Sequence, residues 1–218
     1  MLELTNVRKT FNKGTINEKK ALNGISLSLN DGDFVTVIGG NGAGKSTLRK
    51  AILQHEPGTF ITSEARVSYF SQDQDTLDPQ KTVLENVTAD AVCPQHICRA
   101  VLSNLYMSRD DMFKTVSVLS GGERVKTALA KVLVSGCNFM ILDEPTRGID
   151  VKTKSDIYHL IDRLTAQGLS IIFISSEMPE LINMCDRIVV MNQGDTTGVL
   201  EREEFSQERI MSLATMEL

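Results

Sequence analysis

The sequence predicts an α/β fold: a mostly parallel sheet core, a small antiparallel β subdomain, and a helical lobe inserted in the core. Three observations predict it. Gly39 to Thr47 read GGNGAGKST, a full match to G-x-x-x-x-G-K-[ST], with an apolar run before it and a helical pattern after it. Farther on, short apolar runs alternate with helical patterns, as they do where helices cover both faces of a parallel sheet. Between Asp73 and about Met112 the strand signals vanish and two helical patterns take their place.

The elements follow in order. Leu2 to Val7 and Ile25 to Leu29 alternate apolar and polar residues, as half-buried antiparallel strands do. Polar Asn12 to Lys20 reads as the loop between them. Phe34 to Ile38 is a buried strand, Ser46 to Leu53 a helix, and Arg66 to Phe70 another strand. Helices are expected over Thr82 to Val92 and Gln95 to Leu105, divided by Pro94. Gly122 to Ser135 is a helix, Phe139 to Leu142 a buried strand, and Val151 to Gln167 an amphipathic helix with Ile157, Ile161 and Leu164 on one face and Gly168 at its C-terminal cap position. Ser170 to Ser175 is a strand, Pro179 to Cys185 a helix, and Arg187 to Met191 the last strand before a turn over Asn192 to Asp195. The tail from Glu201 reads as a charged surface helix. The whole chain, 1–218, is expected to form one domain, with the lobe spanning approximately 73–130.

Composition narrows the function. A length of 218 residues suits one sizeable domain, and a formal net charge of −5 argues against a nucleic-acid platform. No apolar run approaches the ~20 residues that span a bilayer, and the N-terminal residues lack the pattern of a secretory signal. Any membrane association is therefore expected to be peripheral. Cys93, Cys98, Cys137 and Cys185 show no C-x-x-C spacing, so reduced thiols in a cytosolic protein are expected.

The GGNGAGKST stretch carries the first chemistry. Glycines let the backbone curl around a phosphate and aim its N–H groups inward, and the following helix N-terminus favours negative charge. Gly39, Asn41, Gly42, Ala43, Gly44, Lys45, Ser46 and Thr47 form the expected cradle. Lys45 reaches the β- and γ-phosphates, and Ser46 ligates Mg²⁺. The strand Phe139 to Leu142 then runs into Asp143 and Glu144. A carboxylate at the carboxyl end of such a strand lies where open α/β sheets bind ligands. Asp143 would hold Mg²⁺ through water, and Glu144 would act as general base on the water attacking the γ-phosphate.

Leu119 to Glu123 read LSGGE, a second glycine-rich stretch opening a helix. Ser120 and Glu123 have capping-box spacing, which accounts for both residue types on structural grounds. Two consecutive glycines are not explained that way. With Ser120, bare Gly121 and Gly122 make a second anion site at a helix N-terminus, best suited to a nucleotide held by another subunit.

GGNGAGKST, Gln72, LSGGE, FMILDEP and Asp150, in that order, resemble the nucleotide-binding cassette of ABC ATPases, and the resemblance covers essentially the whole chain. It implies a P-loop NTPase fold of two lobes and a head-to-tail dimer, homomeric or heteromeric, with ATP and Mg²⁺ at the interface. It further implies transmembrane transporter subunits as partners and a place at the cytoplasmic face of the membrane. By the same resemblance Phe11 stacks on adenine, its alternative being an ordinary buried phenylalanine at a strand end. Gln72 approaches Mg²⁺ and the attacking water. Ser120, Gly121 and Gly122 contact the partner's γ-phosphate. Asp150 belongs to a loop that crosses the interface, and it also fits a simple N-cap for the helix after it.

One departure stands out. The family usually follows a strand like Ile171 to Ile174 with Thr-His-Asp, whose histidine contacts the γ-phosphate. Here Ser175-Ser176-Glu177 puts Ser176 in the histidine position, while His55, His96 and His159 read as surface or partly buried residues. Loss of such a charge-assisted contact costs ~1.5–3 kcal/mol, roughly tenfold to over a hundredfold in rate, so a slow ATPase with intact nucleotide binding is expected. The resemblance is also mosaic. Residues 1 to about 48 are similar to a bacterial importer cassette, 49 to about 146 to the ABC-F translation-factor branch, and the remainder to the second cassette of sugar importers. This fits a recombined chimera or a divergent natural cassette. The functions implied are the ATPase subunit of a transporter, a bacterial importer first, with an ABC-F-type translation regulator or an isolated cassette as alternatives.

Overall fold

In the computed structural model, which describes residues 2–71, 76–176, 182 and 184–216, the chain divides into two compact units. One comprises Met1–Ala65 with Ser170–Leu218, the other Arg66–Leu169.

The first unit begins with the antiparallel pair the alternation predicts. β1 (Leu2–Phe11) and β2 (Lys19–Leu29) pair from Leu2↔Leu29 to Phe11↔Lys19. Leu2, Leu4, Val7, Ile25, Leu27 and Leu29 are buried between exposed polar neighbours, as a sheet with one wet face requires. Both strands run longer than expected, since the loop spans less than Asn12 to Lys20. Next come β3 (Phe34–Gly39), α1 (Lys45–Leu53) and β4 (Thr59–Ile61), the last pairing antiparallel with β1. Three residues carry too little alternation to announce a strand, so β4 is visible only through its partner.

β3 lies between β7 (Ser170–Ser175) and β8 (Arg187–Asn192) and runs parallel to both. Every residue of β3 and β7 is buried, which explains text that is apolar on both faces apart from Thr36 and the serines at the two ends of β7. Phe34 and Phe173 meet across the pair with ring centroids 6.1 Å apart. β9 (Asp195–Glu201) then pairs antiparallel with β8, a strand the sequence does not announce. Its half-buried text Asp-Thr-Thr-Gly lacks an apolar period, and hydrogen bonds from β8 supply what propensity does not. The helix expected from Glu201 begins only at Gln207, capped by Ser206, and buries Ile210 and Leu213. The helix expected over Pro179 to Cys185 falls mostly outside the described residues.

In the second unit β5 (Val67–Phe70) runs parallel to β6 (Phe139–Asp143), from Val67↔Phe139 to Phe70↔Leu142. The connection between them is helical: α2 (Val83–Thr88), α3 (Gln95–Asn104), two 3₁₀ turns (Asp111–Phe113 and Val116–Val118) and α4 (Gly121–Val134). Val83, Val87, Cys98, Leu102, Met107 and Ala130 form the centre of its core. α2 stops well short of Val92. After Thr88 the chain turns, and the Val92 N–H bonds the Val134 carbonyl at the end of α4 at 2.9 Å. Buried Asn86 ties the approach to α2: its amide oxygen accepts from the Asp78 N–H at 2.8 Å, and its nitrogen donates to the carbonyls of Asp78 and Thr82, each at 3.0 Å. α5 (Val151–Ala166) buries Ile157 and Ile161, and Gly168 at φ +92° ends it as the sequence predicts. Lys126 of α4, 8% exposed, pairs with Asp156 of α5 at 2.7 Å.

Candidate functional site

The glycine-rich loop joins β3 to α1 in the context its motif requires. Gly39 has a packing reason to be glycine. A Cβ there would stand 2.4 Å from the Met191 carbonyl oxygen. Gly44 has two, because its φ is +105° and a Cβ would lie 2.7 Å from the Ala21 carbonyl. Gly40 and Gly42 have open space where a Cβ would sit, and with Asn41 they are exposed. The loop is therefore packed along its back and open along its front, the shape a phosphate cradle needs. A brace holds the back: the Gly194 N–H donates to the Ala43 carbonyl at 2.9 Å, and the Asn23 N–H donates to the Gly194 carbonyl at 2.8 Å. The sequence holds no signal for this brace, since it joins β2, the loop and the β8–β9 turn only in space.

The start of α1 is equally suggestive. α2, α4, α5 and the helix at Gln207–Ala214 are each capped by a side chain, whereas α1 begins at Gly44, as α3 begins at Pro94, with no side-chain cap and no acid in its first turn. Its N–H groups suit an anion. Lys45 curls back to donate to the Gly39 carbonyl at 2.6 Å and comes 3.4 Å from the Ser175 carbonyl. Ser46 is exposed, while Thr47 is half-buried and Ala43 buried. A triphosphate fits this cradle, and the hydroxyl of Ser46 is the hard oxygen donor Mg²⁺ prefers. Phe11 ends β1 with 44% of its surface exposed, which excludes the buried alternative. Its cross-strand neighbour Lys19 lines a cavity of about 690 Å³ together with Lys20, Asn41 and Gly42.

Within the second unit, β6 carries Asp143 to its carboxyl end, 8% exposed, with the Tyr69 hydroxyl donating to Oδ2 at 3.4 Å. Glu144 follows with φ +48°, a left-handed backbone that a non-glycine residue adopts at a cost of about 1–3 kcal/mol. Asp150 caps α5: Oδ1 accepts from the Thr153 N–H at 3.0 Å and Oδ2 from its hydroxyl at 2.7 Å. These bonds, the hydroxyl's first, hold the exposed Asp150 carboxyl below the usual range.

The capping box at α4 is also present. The Glu123 N–H donates to Ser120 Oγ at 3.3 Å, and the Ser120 hydroxyl and N–H donate to the Glu123 carboxylate at 2.7 and 2.8 Å. Those two bonds hold the Glu123 carboxyl below its ordinary range. The two glycines separate. Gly121 is exposed, with nothing within 4 Å of a Cβ position, whereas Gly122 is buried against Thr153. Thr153 thus joins the start of α4 to Asp150, a role no sequence pattern flags.

Ser176 is exposed immediately after β7, one residue beyond the carbonyl that faces Lys45. His55, His96 and His159 are all exposed. Gln72 lies outside the described residues.

Comparison with known proteins gives a consistent picture. Residues 22–147 match the family described as ABC transporter. The chain is 33% identical to the ribose import ATP-binding protein RbsA 1 of Rubrobacter xylanophilus over 92% of its own length and 46% of that protein. It is 33% identical to the L-arabinose transport ATP-binding protein AraG of Geobacillus stearothermophilus over 91% of itself and 45% of that protein. The chain spans about half the length of these curated relatives. Among solved structures, a nucleotide-free ATP-binding cassette from an ABC transporter matches with a TM-score of 0.82 at 22% identity, over 100% of this chain and 99% of that one. A dimeric post-hydrolysis cassette bound to ADP and phosphate matches with 0.80 at 22% identity, over 94% of this chain and 100% of that one. The chain belongs to the ABC transporter family, and its fold is that of the family's ATP-binding cassettes.

Proposed function

We propose that this chain binds and hydrolyses ATP as the cassette of an importer and closes head-to-tail on a second cassette, identical or homologous, when ATP is bound. The observation that carries this reading is the loop between β3 and α1, packed along its back, open along its front, and ending in a helix that no side chain caps. Lys45 leaves the Gly39 carbonyl for the β- and γ-phosphates, and Phe11 stacks on adenine. Mg²⁺ neutralises phosphate charge when bound, and Ser46, Gln72 and Asp143 are the residues the sequence assigns to it. Glu144 accepts the proton of the attacking water, and its left-handed backbone is consistent with a position set by function rather than by local preference. Ser120 turns its hydroxyl from Glu123 toward the partner's γ-phosphate, with Gly121 beside it as the bare N–H donor. Ser176 provides a neutral donor where the family has a cation, and turnover is accordingly slow.

The cargo of the relatives, ribose and arabinose by their names, points to sugar import. Transmembrane subunits would then be the partners, with the cassette peripheral at the cytoplasmic face. No helix among the described residues is long and apolar enough to cross a membrane. The test is the mass in solution of the Glu144→Gln variant with and without Mg-ATP. A dimer that forms only with nucleotide supports the composite site. A monomer that persists at saturating Mg-ATP removes it and leaves only nucleotide binding by one chain.

A further inference from the structure

Cys93 and Cys98 take no part in the nucleotide chemistry, yet their Sγ atoms lie 3.8 Å apart. Cys98 sits in the first half of α3, fully buried in the core that α2, α3 and α4 share. Cys93 lies just ahead of that helix, packs on the same core and is partly exposed. Both are free thiols. The other two cysteines have different surroundings: Cys137 donates to the Val132 carbonyl at 3.5 Å, and Cys185 is buried in the other unit.

Two sulfurs at that separation are close to touching without a bond, and a disulfide needs ~2.05 Å. Cys93 stands outside the helical ladder, so rotation of its side chain is free of the constraint that holds Cys98. Exposure assigns the roles. A reagent from solution reaches Cys93 and not Cys98. Burial, and then the Cys93 thiol beside it, push the Cys98 thiol up.

We propose that Cys93 and Cys98 form a dithiol site for thiol–disulfide exchange, with a low-molecular-weight disulfide such as oxidised glutathione as the co-reactant. The Cys93 thiolate attacks one sulfur of the small disulfide. A bond forms between Cys93 Sγ and that sulfur, the small S–S bond breaks, and the departing thiolate takes up a proton. Cys98 attacks Cys93 Sγ, and its proton passes to the small thiolate that this attack displaces. The Cys93–Cys98 bond forms, and the second small thiol leaves carrying that proton. The protein loses two electrons and two protons, and the small disulfide becomes two thiols. The product fastens Cys93, two residues ahead of α3, to the helix's first turn. That end begins at Pro94 without a side-chain cap, so the bond ties down a helix start that no side chain caps.

The experiment uses the full chain. It is incubated folded with oxidised glutathione, quenched in acid, unfolded, alkylated and digested with trypsin. Cys93 and Cys98 fall on one peptide, 82–99. The expected product is that peptide without alkyl groups and lighter by about 2 Da than its reduced form, with Cys137 and Cys185 fully alkylated. Cys98→Ala should arrest the reaction as a glutathione adduct on Cys93, and Cys93→Ser should leave Cys98 unmodified. A wild-type peptide 82–99 alkylated at both cysteines, or a wild-type adduct persisting on Cys93, overturns the proposal. Because the readout needs neither ATP nor a partner, it stands apart from the ATPase reading.

Discussion

Gly122 lies so close to Thr153 that a Cβ on the glycine would stand 2.7 Å from the threonine hydroxyl oxygen. Gly121, its neighbour, faces open space. Two adjacent glycines thus answer to different pressures, one to packing between α4 and α5 and the other to whatever approaches the helix tip.

Substitution separates them. Gly122→Ala forces a methyl into Thr153 and should destabilise the chain by ~1–3 kcal/mol, as overpacking does. Gly121→Ala meets nothing and, in the first turn of α4, should leave stability unchanged or raise it by up to ~1 kcal/mol. On the proposed function it nevertheless weakens ATP-dependent dimerisation. Thermal melts paired with sizing in Mg-ATP check this, and equal losses of stability in both variants would refute the distinction.

Lys45→Ala removes the ammonium now held by the Gly39 carbonyl. If that group moves to the phosphates, ATP affinity should fall by ~1.5–3 kcal/mol, roughly tenfold to over a hundredfold in Kd. Titration with a fluorescent ATP analogue measures it. Unchanged affinity would place the triphosphate somewhere other than this loop.

Ser176→His restores a ring donor beside the strand end whose Ser175 carbonyl already approaches Lys45. Turnover should rise by roughly tenfold to a hundredfold while ATP affinity changes little. Steady-state phosphate release checks it, and a flat rate argues that another residue limits hydrolysis.

Asp111 concerns stability. Its carboxylate accepts from Lys114 Nζ at 2.6 Å and from the Ser108 hydroxyl and N–H at 2.6 and 3.0 Å. Lys114 first and Ser108 next lower its pKa to about 2 from the ordinary 3.8. A depressed acid adds stability that is fully present above the unfolded value and lost as pH falls through the folded one, here between about pH 4 and pH 2. Asp111→Asn should therefore flatten the acid side of the melting profile in that window and leave its neutral side nearly parallel to wild type. An unaltered acid limb would show that the ion pair contributes nothing to folding.

Local text determined most of the architecture here. The alternation of β1 and β2, the mostly apolar runs of β3 and β7, and GGNGAGKST with its flanking strand and helix are all legible because each depends on neighbours within a few residues. So is the capping box of Ser120 and Glu123. Tertiary structure decided what those patterns cannot encode. β4 and β9 exist because β1 and β8 offer unpaired edges. Gly194 and Asn23 brace the phosphate loop, Thr153 accounts for Gly122, and Cys93 approaches Cys98 without a recognisable spacing. Each of these is a contact made by packing, whose partners are chosen by the folded backbone rather than by the period of the chain.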